Sequence, residues 1–181
     1  MPYIRFGAMI ATSTIVMYGL MYLNAHALDH VWFSQTRMWM ALVMGATMAV
    51  IMLGFMWHMY KNTPANIAIV AGCVAVFAGA LWLVRSQETV GDVAYMKAMI
   101  PHHSIAVLTS ERAHIRDPRV RRLADEILEA QVREITEMRQ LIEDLGRDPP
   151  PADAPDLPPG IKPSPLAGLP APAAAAAAGG R

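Results

Sequence analysis

Apolar residues form three long runs before Arg85 and short periodic groups after it. The runs extend from about Phe6 to Leu23, from Met38 to Tyr60 and from Ile67 to Val84. A helix needs about 20 apolar residues to cross a hydrocarbon core, and each run comes close to that length. The second carries no Asp, Glu, Lys or Arg. Trp32, Trp39, Trp57, Tyr60 and Trp82 lie at or near the run ends, where amphipathic rings favour the lipid–water boundary. The pattern predicts three transmembrane helices within residues 1–86.

After Arg85 the pattern changes to helical periodicity with clear punctuation. Thr89 followed by Asp92 reads as a capping box that opens a helix running to about His114. Asp117 and Pro118 read as an N-cap with proline at the first helical position. This second helix runs to about Leu145, where Gly146 supplies a C-cap and Pro149 and Pro150 prevent continuation. The short connection makes the two helices antiparallel. Residues 87–147 are therefore expected to form a soluble helical hairpin, and the fold class is all-α. From 148 to 181 the chain is rich in Pro and Ala. Such a composition cannot bury a core, which predicts a disordered tail.

The first run also admits a rival reading. Arg5, the apolar stretch and Ala25-His26-Ala27 resemble a signal peptide with a small-x-small cleavage site. The stretch is long for that role, and Tyr22-Leu23-Asn24 makes a poor approach to cleavage, so a retained anchor is preferred. Arg5 and Lys61 flank one side of the spans and Arg37 and Arg85 the other. The positive-inside rule therefore ties.

Within the spans, Ala41, Gly45 and Ala49 recur at i+4, as do Ala71, Ala75 and Gly79. Both sets predict faces on which helix backbones approach closely. Met40, Met44, Met48, Met52 and Met56 form a ladder beside the first set. Flexible packing at a helix or lipid contact is the preferred account; a chain of thioether ligands carrying a soft ion is the alternative.

Composition changes the picture in one respect. The 181 residues hold 14 Met but a single Cys, Cys73, so there is no intrachain disulfide and no zinc-ribbon spacing. A net charge of zero gives no reason to expect nucleic acid as a partner.

The methionines of the hairpin fall near its histidines. Val120, Ala124, Ile127, Gln131, Glu134, Met138, Leu141 and Leu145 make an alternating three–four stripe interrupted by two polar residues. Folding the hairpin at Arg116–Asp117 sets His102 opposite Gln131, Met99 opposite Glu134, and Met96 near Met138. Pro101 frees the Lys97 carbonyl and predicts a local distortion beside the histidine pair. Thioether with imidazole suits a soft ion such as Cu(I) and excludes Ca²⁺ or Mg²⁺ as natural guests. The duller account is that Met96, Met99 and Met138 only pack and that Asp92 only caps. Glu111-x-x-His114 has the spacing used in di-iron bundles, but only one such pair exists.

The run Asp92-Val-Ala-Tyr-Met-Lys-Ala-Met-Ile-Pro-His-His103, with Ala106, Gln131, Glu134-Ile135 and Met138, resembles domain-of-unknown-function family 305. That family is similar to ferritin-like helical domains and includes CopM-like, copper-binding periplasmic members. The resemblance covers about Asp92 to Leu145, and the membrane half looks like the family's three-span subgroup. It implies Met96, Met99, His102, His103 and Met138 as ligands of copper(I) or a similar soft ion. Asp92, Gln131 and Glu134 are then second-layer groups or further ligands. It also implies a bacterial inner-membrane location with the hairpin in the periplasm. Ser104 and Thr109 stand where family members often carry an acidic residue and a methionine, which implies fewer or more weakly held ions.

The expected function is therefore metal sequestration or hand-over by a membrane-anchored protein. No nucleophile–base pair is visible, so no enzyme is expected. A metal-free assembly module and a transport component using the Met ladder are the alternatives. Ile100, Val107, Leu108, Leu123, Leu128 and Ile135 lie off the expected seam and predict a homo-oligomer, two hairpins forming a four-helix bundle. In the competing arrangement the hairpin rests on the loop holding His26, Asp29 and His30. That loop lies on the hairpin's side of the spans and can add ligands.

Overall fold

The computed structural model describes residues 2–157. The expected disordered tail falls outside them from residue 158 onward. The described residues form five α-helices and no strand: α1 (Pro2–Leu20), α2 (Gln35–Phe55), α3 (Thr63–Ser86), α4 (Asp92–Arg112) and α5 (Pro118–Arg147). The first three are long and apolar enough to cross a bilayer.

Each apolar helix is placed by polar groups at its ends. Ser34 caps α2 by accepting from the Arg37 N–H at 3.2 Å, and its own N–H donates to the Tyr22 hydroxyl at 2.9 Å. The Arg37 guanidinium donates to the Met21 carbonyl at 2.7 Å and lies over the Tyr22 ring. The end of α1 is thus sewn to the start of α2. At the opposite end Asn62 caps α3. The fully buried Asn66 donates to the Tyr60 carbonyl at 2.7 Å and accepts from the Tyr3 hydroxyl at 2.9 Å. A buried amide is tolerated because both its polar atoms are paired.

Helix α2 is central, with α1 and α3 both packed on it. Ala41, Gly45 and Ala49 are buried as expected. A Cβ at Gly45 would overlap the Thr14 hydroxyl of α1, so only glycine permits this approach. The second small-residue set behaves differently: Ala71, Ala75 and Gly79 are exposed. Helix α3 instead turns Asn66, Ile69, Val70, Cys73 and Ala80 inward.

The hairpin differs from expectation at both ends of α4 and at the end of α5. Helix α4 starts at Asp92 with Gly91 as its N-cap and no side-chain cap. The expected Thr89 box does not form because Gln87, in the left-handed conformation, ends α3. The Val90 N–H then closes a turn onto the Gln87 carbonyl at 2.8 Å. Helix α4 stops at Arg112, short of His114. In α5, Asp117 caps by accepting from the Arg119 N–H at 2.8 Å, as expected. Gly146 does not terminate the helix, which continues to Arg147 and ends at the prolines.

Ile100, Val107 and Ile135, expected on an outer face, instead make the hairpin's core with Met138, Ile142 and Trp32. Trp32 comes from the α1–α2 loop. The hairpin therefore rests on that loop, on the same side of the apolar helices.

Candidate metal site

Four of the predicted ligands converge between α4 and α5. Met96, Met99, His103 and Met138 line a cavity of about 540 Å³ together with Asp92, Glu134 and Glu137. On α4, residues 92, 96, 99 and 103 follow steps of four, three and four. On α5, residues 134, 138, 141 and 145 do the same, so each set makes one helical face. Met96 is buried, while Met99 and Met138 are partly exposed to the cavity.

His103 is the ordered polar centre, its side chain 13% exposed. Its Nδ1 lies 2.8 Å from the Met99 carbonyl oxygen. A carbonyl only accepts, so Nδ1 carries the proton and the ring is fixed in orientation. Nε2 remains as the donor atom for an ion, the arrangement common among metal-binding histidines. In the structure Nε2 lies 2.9 Å from a Glu134 carboxylate oxygen. An ion arriving at Nε2 must displace the Glu134 carboxylate from that nitrogen.

The other predicted residues are placed differently. His102 is exposed and lines no part of the cavity, although its ring centre is 5.9 Å from that of His103. Gln131 is also outside the lining. The expected pairing of His102 with Gln131 is replaced by one a turn away, in which His103 rather than Met99 meets Glu134. Glu137 and Tyr95 line the cavity unforeseen; Glu137 could have been found from its i+3 spacing to Glu134. Among the described residues no three His, Cys, Asp or Glu side chains form an ion-holding group. An ion in this cavity would need the sulfurs.

Residues 92–177 match the family described as domain of unknown function DUF305. This part of the chain is a DUF305 domain. The match begins at the first residue of α4 and spans the whole hairpin. An uncharacterized protein of Acanthamoeba polyphaga mimivirus is 35% identical over 66 residues, covering 35% of this chain and 43% of that protein. The chain thus spans less than half the length of this relative. No solved structure matches the chain.

The α1–α2 loop meets an adjoining face of α4. The fully buried Ser104 Oγ accepts from the His26 backbone N–H at 2.8 Å and lies 2.9 Å from His30 Nδ1. Arg139 of α5 donates to both the carbonyl and the carboxylate of Asp29, at 2.8 and 2.6 Å. This hydrogen bond holds the Asp29 carboxyl below its ordinary range. Burial pushes the His30 imidazole below its ordinary range, disfavouring its charged form. Another cavity, of about 760 Å³, lies elsewhere, among α1, α2 and α3. Its lining is apolar apart from Tyr3, Thr14 and the lone thiol of Cys73, and brings no histidine, carboxylate or thioether to join that thiol.

Proposed function

We propose that the DUF305 domain binds a soft monovalent ion, Cu(I) or Ag(I), in the α4–α5 cavity. The protein then serves as a membrane-anchored store or relay for that ion. The observation that carries this reading is the convergence of three thioethers and His103 Nε2 on one cavity. Thioether and imidazole are soft to intermediate donors and suit such an ion. Asp92, Glu134 and Glu137 add negative charge at the same cavity, which attracts cations. His102 stands outside as a candidate transfer ligand rather than a resident one. Binding without catalysis, a bacterial inner membrane and a periplasmic hairpin are parts of the same proposal.

The decisive measurement is chelator competition for Ag⁺ with the full-length protein in detergent. Replacing Met96, Met99 and Met138 together by Leu keeps the volume nearly constant. Affinity should fall at least ~100-fold, about 2.8 kcal/mol. His103→Ala should weaken binding on its own, whereas His102→Ala should not. Unchanged Ag⁺ affinity in the Met-to-Leu protein would reduce the cluster to packing.

Pairing of two hairpins into a ferritin-like bundle belongs to the same proposal. The face available for it carries Val120, Leu123 and Ile127 of α5, all exposed. Intermolecular cross-links from a cysteine at Leu123, with Cys73 replaced, would support it; their absence in the membrane-embedded protein would remove it.

A further inference from the structure

His26 and His30 are one helical turn apart in sequence, across the short 3-10 turn Leu28–His30. Their rings face the same part of α4, with centres 6.4 Å apart and planes inclined by 31°. His26 Nδ1 lies 3.3 Å from a Glu111 carboxylate oxygen, the His26 side chain being 31% exposed and that of Glu111 53%. Both histidines are oriented by one buried atom, Ser104 Oγ, which takes the His26 N–H and meets His30 Nδ1. When His30 donates from Nδ1 to this hydroxyl, Nε2 is left as the ligating nitrogen, the same device seen at His103.

We propose that His26, His30 and Glu111 form a second cation site, for a borderline divalent ion such as Zn²⁺ or Cu²⁺, at the seam between the α1–α2 loop and α4. The donor set decides the class of ion. Two imidazoles and a carboxylate, with no sulfur, suit Zn²⁺ or Cu²⁺ rather than a soft monovalent ion. The spacing is nearly right. Two imidazole nitrogens each about 2.0–2.1 Å from one ion put their ring centres roughly 5–6 Å apart. The observed separation is wider, and in the metal-free structure the three side chains do not form an ion-holding group. An ion binds only when the rings rotate toward Glu111. Solvent reaches the site through the exposed carboxylate.

The site is independent of the thioether cavity. Ser104 and Glu111 meet the loop, whereas His103 meets Glu134 of α5. Its consequence is mechanical: an ion bridging the loop to α4 binds only the docked arrangement and therefore stabilises it.

The test uses Zn²⁺ and the full-length protein in detergent, in a background lacking the cavity ligands. That background carries Met96→Leu, Met99→Leu, Met138→Leu, His102→Ala and His103→Ala. One equivalent of Zn²⁺ should remain bound by calorimetry, and Co²⁺ as a stand-in should show the visible absorption of a nitrogen-ligated ion. His30→Gln keeps a hydrogen bond to Ser104 yet cannot ligate, and Glu111→Gln removes only the charge. Each should weaken Zn²⁺ binding at least ~10-fold. Retained exchange protection of the His26 amide, which donates to Ser104 Oγ, in the metal-free His30→Gln protein would show that the loop is still docked. Absence of Zn²⁺ binding in the background protein, or unchanged affinity in both Gln variants, overturns the site. The soft-ion reading is judged separately on Ag⁺ with the wild-type loop.

Discussion

The apolar helices α1–α3 and the hairpin α4–α5 solve the same packing problem in opposite ways. Among the apolar helices burial is lopsided. Helix α2 buries Ala41, Val43, Gly45, Ala46, Ala49 and Leu53, whereas α1 buries only Phe6, and α3 only Asn66 and Ala80. The residues are mostly small, and the closest approach is made by Gly45 against Thr14. In the hairpin, burial is shared by larger side chains of both helices, Ile100 and Val107 against Ile135, with Trp32 added by the loop. Polar contacts then set its register: His103 to Glu134, and the Arg121 guanidinium to the Ser110 carbonyl at 2.8 Å. Where lipid is the solvent, burying an apolar group gains little and close fit decides; where water is the solvent, burial itself drives the association.

This contrast predicts unequal costs for similar deletions. Ile100 and Leu53 are both fully buried. Ile100→Ala should destabilise the hairpin by about 2–5 kcal/mol, since both transfer and cavity terms are lost. Leu53→Ala loses contacts but little transfer free energy if α2 lies in lipid, so its cost should be clearly smaller. Hydrogen exchange of α5 and α2 amides in the two variants measures both. Equal costs would place α2 in a water-solvated core and break the comparison.

A sharper contrast lies within the apolar half. Gly45→Leu should force α1 from α2 at about 1–3 kcal/mol, the usual cost of overpacking. Gly79→Leu meets nothing within 4 Å and should stay within about ±0.5 kcal/mol, as for other exposed positions. Thermal inactivation in detergent, read by a disulfide placed between α1 and α2, distinguishes them. A large effect at Gly79 would reveal that the α3 small-residue face is covered in the assembled protein.

The same contrast explains what could be read from the chain. The three apolar helices were plain from run length alone, because crossing a bilayer demands that length. Their packed faces were not. Ala41-Gly45-Ala49 and Ala71-Ala75-Gly79 have the same spacing, yet the first is buried and the second exposed, and an all-apolar surroundings marks neither. The hairpin, its antiparallel course and its Asp117 cap were legible because punctuation and periodicity agree there. The lining of the candidate cavity was legible to within one turn: Met96, Met99, Met138, Asp92 and Glu134 share it, and of the two adjacent histidines only His103 does. The step of four, three and four from Asp92 selects His103, while Ile135, one residue beyond Glu134, packs against Ile100 and Val107. The docking of Trp32 and Ser104 had no local signal: the contacts join segments 78 residues apart at His26 and Ser104.

The smallest predicted effect concerns how firmly the two regions are joined. Burial holds His30 below its ordinary value; Arg139 and His26 act in the same direction and Asp29 against it. The freed loop would titrate near the usual ~6.5. Between that value and the lower docked one, the undocked state binds more protons, so docking gains stability as pH rises and loses it as pH falls below ~6.5. Asp29 is depressed by Arg139, so its contribution is intact above the ordinary carboxylate range, ~3.9, and fades only as pH falls further. The two windows are separate. Metal-free protein should therefore show faster exchange of the His26 amide between pH 6.5 and 5 than protection at neutral pH would give, while the Asp29–Arg139 contact persists. His30→Gln, which cannot titrate, should flatten that change. If the loosening survives in His30→Gln, another group joins the hairpin to the apolar helices, and the buried Ser104–His30 contact is not what makes the joint sensitive to protons.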